Sequence, residues 1–107
     1  MVLYFFRYRK GSCEHYAAVE KLILEYLGFN AMYVEGDRYS TVELVWGEHL
    51  WVIAEMDGAY YHVDGLYGGN HTGGIDKCFF VPDSDMEKSH RWEKTNYPAC
   101  IEPQPQF

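Results

Sequence analysis

The chain contains no apolar run near the roughly 20 residues that a transmembrane helix requires, so membrane insertion is not expected. It is also poor in positive charge, with 9 Lys and Arg against 16 Asp and Glu and a net charge of -7. This balance argues against sequence-independent nucleic-acid binding, which requires a basic surface. The first residues, MVLYFFRYRK, place basic residues after the apolar stretch and lack a small-residue cleavage site, unlike a signal peptide. An extracellular or cell-surface location would therefore require a longer precursor.

Cysteine is scarce, and its spacing excludes further classes of protein. Cys13, Cys78 and Cys100 are an odd number of thiols, and none belongs to a C-x-x-C pair, which gives a thiol redox function little support. A disulfide between Cys78 and Cys100 that leaves Cys13 free is an open alternative, because spacing alone cannot decide it. One thiol in any case remains outside an internal pair.

A metal site has ligand types available but no favourable spacing. The candidate ligands are Cys13, His15, His49, His62 and Asp64. Residues two apart on a helix point about 200° away from each other, and no H-x-x-x-H pair is present. We therefore expect neither a metal nor another cofactor.

The residues that are abundant predict one folded domain. The chain has 107 residues, of which 48% are apolar and 18% aromatic, enough for a packed core. We treat residues 1–107 as a single domain. Apolar residues at helical spacing predict a helix over residues 13–27, with Ser12 as its N-cap and Gly28 as its left-handed C-terminal residue.

The rest of the chain predicts antiparallel β-structure, and the fold class is therefore α+β. Strands are expected at 31–35 and 42–46 around a turn at 36–40, and at 78–82 before a short helix capped by Asp83. The strongest pattern is HLWVIAEM-DG-AYYHVDG, in which Asp57-Gly58 suits the type I′ turn of a two-residue hairpin. Residues 65–77 are rich in glycine and are expected to form a loop.

The hairpin register brings His49 and Asp64 together. If Asp57-Gly58 is the turn, Met56 faces Ala59, and His49 and Asp64 become diagonal neighbours on one face of the hairpin. A slip of one residue would place the two side chains on opposite faces. The turn therefore determines whether an imidazole and a carboxylate can meet.

Cys13 is the third residue of interest, since a thiol needs a base to become a good nucleophile. If the helix begins near Ser12, unpaired N–H groups and the helix dipole favour the Cys13 thiolate and can donate to a developing oxyanion. This arrangement requires the helix to pack across the hairpin face that carries His49. The order of Cys13, His49 and Asp64 suits a nucleophile, its base and an orienting acid.

Three blocks in this order, GSCEHYA before an amphipathic helix, H-x-W before an apolar strand, and DG-x-YYHVD, resemble the transglutaminase-like superfamily, particularly its bacterial members. The segments CFFVPDSDMEKSHRW and NYPAC are similar to the end of such domains, so the resemblance covers roughly residues 8–100. It implies a papain-like α+β fold, with a nucleophile helix on an antiparallel sheet. It also implies Cys13 as nucleophile, His49 as base and Asp64 as orienting carboxylate.

Two departures from the family pattern are visible. Only twelve residues precede Cys13, whereas family domains carry more helical sequence there, including groups of the oxyanion hole. The resemblance therefore implies a domain that lacks these N-terminal helices. The common VHV-P-T ending is replaced by HVDGLYGG, which implies a different loop after Asp64.

The expected function is acyl transfer from an amide in a protein or peptide substrate through a thioester on Cys13. Water or an amine then accepts the acyl group, and the sequence does not choose between hydrolysis and transamidation. Trp51 either lines an acyl-binding slot or fills the core, and His62 is a weaker competitor for the role of base.

The alternative is a catalytically inactive module of the same fold that binds a partner. One helix can cover only one hairpin face, so we expect a longer parent chain or a second copy to cover the other. That second face carries Leu50, Val52, Ala54, Met56, Tyr61 and Val63.

Overall fold

One long helix packs on a five-stranded sheet whose paired strands are all antiparallel. The structure, a computed structural model, describes residues 9–40, 43–64 and 78–105, and the side chains of the first helix from Glu14 onward. The helices are α1 (Arg9–Tyr26) and α2 (Asp83–Met86), and a short 3₁₀ turn spans Lys94–Asn96. The strands are β1 (Asn30–Ser40), β2 (Val45–Met56), β3 (Ala59–Val63), β4 (Phe79–Val81) and β5 (His90–Trp92), in the sheet order β4-β3-β2-β1-β5. The expected α+β class is confirmed.

Helix α1 ends as predicted but begins earlier. Gly28 has φ +99°, its N–H donates to the Glu25 carbonyl, and the Phe29 N–H donates to the Leu24 carbonyl. This is the Schellman pattern that a C-terminal glycine favours. The helix already includes Arg9, so the prediction that Ser12 caps it is wrong. Cys13 therefore lies beyond the first four residues, whose N–H groups are the ones without a helical acceptor.

The first hairpin is longer than the sequence predicted. Residues 36–40 belong to β1, not to a turn, and β1 pairs with β2 from Asn30↔Glu55 to Ser40↔Val45. A Cβ on Gly36 would overlap the Arg91 carbonyl oxygen and lie 2.8 Å from the Trp51 ring. The absence of a side chain at Gly36 lets β5 and the Trp51 indole approach β1 closely. The predicted turn at this glycine is therefore wrong.

The second hairpin has the predicted register. Asp57 and Gly58 both have positive φ, as a type I′ turn requires. β2 and β3 pair from Met56↔Ala59 to Val52↔Val63. Strand β4 occupies 79–81 of the expected 78–82, and Asp83 is the first residue of α2 whereas Pro82 takes the cap position. The expected loop at 65–77 lies outside the described residues.

The two faces of the sheet are covered by different parts of the chain. Ala17 and Leu24 of α1 pack in a core with the β2 and β3 residues Val52, Ala54, Tyr61 and Val63, and with Phe80. The opposite face, with Trp51 and Ile53, packs against the C-terminal region in a core with Val34, Cys78, Val81, Met86 and Cys100. The expectation that α1 covers the His49 face is therefore wrong. Helix α1 instead covers the face with Val52 and Ala54, for which a longer parent chain or a second copy was expected.

Candidate active site

His49 and Asp64 form a buried hydrogen-bonded pair. His49 lies on β2 and Asp64 follows β3 directly, and the predicted register brings them onto one face. His49 Nε2 donates to Asp64 Oδ2 over 2.7 Å, and the two side chains are only 3% and 2% exposed. Because Nε2 binds the acid, Nδ1 is the nitrogen that could take a proton from a nucleophile.

Asp64 binds a second histidine that the sequence analysis missed. His90 Nε2 donates to the same Oδ2 atom, also over 2.7 Å, and its Nδ1 lies 2.7 Å from the Ser89 hydroxyl. The hydroxyl can donate to Nδ1 while Nε2–H donates to the acid. His90 belongs to β5, which pairs with β1 over only three residues. A three-residue strand is too short for periodicity to reveal, so the sequence pattern gave no signal for His90.

The charges of this cluster follow from its hydrogen bonds and burial. Burial by itself raises the pKa of Asp64, but the hydrogen bonds from His49 and His90 outweigh it and hold that pKa well below its usual range. Burial lowers the pKa of His90, although the Asp64 carboxylate opposes this change. The structure therefore contains an ionised acid that accepts from a neutral His90 at neutral pH.

Trp51 packs against the rings of His49 and His90, and His62 packs against Trp51. Trp51 is fully buried and belongs to the core on this face of the sheet. Its indole N–H donates to His62 Nδ1 over 3.0 Å, and His62 Nε2 donates to Asp83 Oδ1 over 2.7 Å. Because both ring nitrogens are engaged and the residue is fully buried, His62 cannot compete with His49 as a base.

The position of Cys13 is described for its backbone only. It is the fifth residue of α1, so the expected help from unpaired N–H groups at the very start of a helix is wrong for this residue. Its side chain lies outside the described part of the structure. The neighbouring residue Glu14 nevertheless lines the same cavity as His49. Helix α1 packs on the other face of the sheet from His49. At Glu14, the residue after Cys13, it nevertheless reaches the cavity that His49 lines.

This cavity is an acidic cleft of about 360 Å³. Among the described residues, its lining consists of Glu14, Glu35, Gly36, Asp37, Glu48, His49 and Leu50. Four of these residues carry carboxylates and His49 is the only basic one among them. The electrostatic potential of the cleft therefore disfavours anionic groups.

In the part of the chain that the structure describes, two groups of side chains combine ligand types that metals bind, namely His49, Asp64 and His90, and His62, Asp83 and Cys100. In the first group, the 2.7 Å separations are those of hydrogen bonds, whereas ligand atoms around tetrahedral zinc lie about 3.3 Å apart. In the second group, His62 accepts a hydrogen bond from Trp51 at Nδ1 and donates one to Asp83 from Nε2. Hydrogen bonds thus account for the close approach of the side chains in both groups. The expectation that the protein binds no metal remains a prediction.

The two other cysteines are buried thiols, and no disulfide joins Cys78 to Cys100. Burial, reinforced by Asp83, raises the pKa of Cys100 to about 12. A thiol with so high a pKa is a poor nucleophile at neutral pH. The burial of Cys78 and Cys100 leaves Cys13 as the candidate nucleophile among the three cysteines.

Comparisons with known proteins return no relative: no family model, no curated protein and no solved structure matches this chain. The class of this protein is therefore described by its fold and site alone. It is an α+β domain with a buried His–Asp–His cluster beside a cleft lined by four carboxylates. Neither of its described helices combines the length and apolar character needed to cross a bilayer.

Proposed function

We propose that this protein is a cysteine-dependent acyl-transfer enzyme of the transglutaminase-like type, with a papain-like arrangement of its helix and sheet. Cys13 attacks an amide carbonyl, His49 takes the thiol proton and returns it to the leaving amine, and Asp64 orients the imidazole. The observation that carries the proposal is the buried 2.7 Å hydrogen bond from His49 Nε2 to Asp64 Oδ2. It lies beside a cleft that α1 reaches at Glu14.

The charge of Asp64 supports the role of His49 in this proposal. An ionised carboxylate stabilises the imidazolium that forms when His49 takes a proton, and it holds the proton on Nε2 when the ring is neutral. Both effects leave Nδ1 as the atom for proton transfer with the thiol. The hydrogen bond from His90 holds the same carboxylate from a second side, so Asp64 cannot turn away without breaking two contacts.

The carboxylates that line the cleft limit the range of substrates in this proposal. Carboxylates from Glu14, Glu35, Asp37 and Glu48 surround the approach to His49. The amide substrates are therefore neutral or cationic near the reacting bond, since acidic side chains would be repelled. An amine acceptor, which is protonated at neutral pH, would be attracted to the same cleft. Water or such an amine resolves the thioester on Cys13.

Alkylation by iodoacetamide near neutral pH tests the activated thiol. Cys13 is expected to react at least about tenfold faster than Cys78 and Cys100, because an adjacent base increases its thiolate fraction whereas burial protects the other two. Peptide mass spectrometry after timed quenching measures the rate at each cysteine. His49→Ala is expected to remove the advantage of Cys13.

His15→Ala is the matched control, because it removes an exposed histidine from α1 outside the cleft. Equal rates at all three cysteines in the unmodified protein would refute the proposal. Ammonia release from a glutamine peptide, with and without an added amine, then separates hydrolysis from transamidation.

The alternative, a binding module without catalysis, is favoured by the outer face of α1. Tyr16, Val19, Ile23 and Tyr26 are between 42% and 90% exposed and are spaced three and four residues apart. This spacing is typical of helices that pair with a second helix. In this alternative, the outer face of α1 pairs with the same face of α1 in a second copy of the chain.

The alternative predicts self-association that Ile23→Glu abolishes, because a charge in a helix pair is costly to bury. Sedimentation velocity over a hundredfold concentration range measures it. Ala18→Glu, at an exposed position outside the apolar row, is the control. A monomer at every concentration would count against pairing through α1.

A further inference from the structure

A second buried chain of hydrogen bonds runs behind the His49–Asp64 pair. The Trp51 indole N–H donates to His62 Nδ1 over 3.0 Å, and His62 Nε2–H donates to Asp83 Oδ1 over 2.7 Å. The backbone N–H of Cys100 donates to the other oxygen, Asp83 Oδ2, over 3.3 Å. The chain thus joins β2, β3, the start of α2 and the C-terminal region, and the described structure leaves no buried side-chain polar atom without a partner.

The chemistry of each group determines the direction of these bonds. An indole N–H can only donate, so His62 Nδ1 must accept and its proton must be on Nε2. An ionised carboxylate can only accept, so Asp83 suits that proton and would not suit the other tautomer. Burial keeps His62 neutral by lowering its pKa to about 4, against the opposing effect of Asp83. Asp83 therefore determines which His62 nitrogen faces Trp51.

Trp51 connects this chain to the candidate catalytic histidine. Its ring is stacked on that of His49, with centroids 5.9 Å apart and an interplanar angle of 25°. It meets the His90 ring edge to face, with centroids 4.8 Å apart and an angle of 72°. Asp64 holds each imidazole through its Nε2 atom, and packing against the indole opposes rotation of each ring about that hydrogen bond. The indole is the surface that restricts this rotation for both rings.

We propose that Asp83, His62 and Trp51 form a positioning relay that holds the plane of the His49 imidazole, so that Nδ1 is aligned for proton transfer. The inference rests on the proposed function, because it concerns the geometry of the same base. None of the three residues lines the cleft, so none contacts substrate. Their effect is on the chemical step and not on substrate binding.

The Asp83→Asn substitution tests the relay with the smallest change in shape. If the amide oxygen faces His62, the amide N–H₂ faces the Cys100 N–H, and two donors oppose each other. If the amide N–H₂ faces His62, the ring must carry its proton on Nδ1, which then opposes the Trp51 N–H. We expect kcat for amide turnover to fall about tenfold to a hundredfold with KM unchanged, since small misplacements of a base have effects of that size.

Two measurements separate positioning from a general loss of stability. Nitrogen-15 NMR of the unmodified protein is expected to show His62 as the Nε2–H tautomer, with a hydrogen-bonded Trp51 indole N–H that is lost or shifted in Asp83→Asn. Val63→Ala, which destabilises the opposite core, should leave kcat unchanged in the folded protein. Asp85→Asn controls for the loss of another acid from the same short helix.

A folded Asp83→Asn protein with unchanged kcat would overturn the relay. So would the Nδ1–H tautomer of His62 in the unmodified protein, a result that needs no variant to fold. Failure of the proposed function would look different: Cys13 of the unmodified protein would show no excess reactivity, whereas the tautomer and the indole hydrogen bond would still be observed.

Discussion

Asp64→Asn is expected to lower the rate of amide turnover by about 10³- to 10⁴-fold while the protein stays folded. An asparagine oxygen can still accept from His49 and His90, both of which donate to Asp64 Oδ2. It carries no charge, however, so it does not stabilise the imidazolium. Its amide N–H₂ can also face the histidines in place of the oxygen and force the His49 proton onto Nδ1, and losses of this kind are large in acid–base triads. Ammonia release from a glutamine peptide measures the rate.

Asp64→Ala separates stability from catalysis at the same position. It removes the acceptor of two buried N–H groups, and we expect the free energy of unfolding to fall by about 3 to 5 kcal/mol. Urea unfolding at pH 7 followed by tryptophan fluorescence measures the loss, and Asp85→Asn, at a half-buried position whose side chain is 44% exposed, should change it little. A folded Asp64→Asn protein with full turnover would show that Asp64 has only a structural role.

The second large effect is acid destabilisation that begins near pH 6.5, well above the range in which ordinary carboxyl groups titrate. The pKa of His62 is lowered to about 4 in the folded protein from 6.5. Between these values the unfolded chain binds a proton that the folded protein does not, so the free energy of unfolding falls as the pH falls. At about 1.4 kcal/mol per pKa unit, the loss from His62 alone is about 3 kcal/mol and is complete near pH 4.

Two other groups of the same region act in the same direction. The pKa of His90 is also lowered by burial, so its share of the stability is lost as the pH falls below 6.5. The pKa of Asp64 is held below its ordinary value of 3.8, so its share begins to be lost only as the pH falls below that value. Stability should therefore decline in two stages, first from the histidines and then from the acid.

Urea midpoints measured from pH 7.5 to pH 4 check this prediction. His62→Gln should reduce the decline between pH 6.5 and 4 but not abolish it, because it removes one of the two buried histidines, His62 and His90, that protonate on unfolding. His15→Gln, at an exposed position of α1, should leave the decline as it is. A midpoint that stays constant down to pH 5 in the unmodified protein would contradict the assignment of buried neutral histidines.

The part of the site that came from sequence depends on one turn. Asp57-Gly58 supplies the positive φ values of a two-residue hairpin, and the alternation of strand side chains then places His49 and Asp64 on one face. These are local rules that act over sixteen residues of continuous chain. For the same reason the C-terminal end of α1 at Gly28 was predictable, whereas its start at Arg9 was not. The sequence before Cys13 carries no equally strong signal.

The missed features all depend on contacts between distant parts of the chain. The sequence predicts a turn at Gly36, whereas in the structure Arg91 and Trp51 pack against this glycine within β1. His90 reaches Asp64 only because three residues of β5 pair with β1. Helix α1 packs on the face of Val52 and Ala54, while Met86 and Cys100 cover that of Trp51.

What the sequence by itself determined is the α+β class, the hairpin register and the pairing of one imidazole with one carboxylate, because each follows from the local geometry of a helix or a turn. Only the tertiary structure decided which face the helix covers, that a second histidine shares the acid, and that Trp51 is held from behind by His62. Hydrophobic burial is non-directional. Either face of the hairpin could have received the helix, and the packing of the whole chain made the choice.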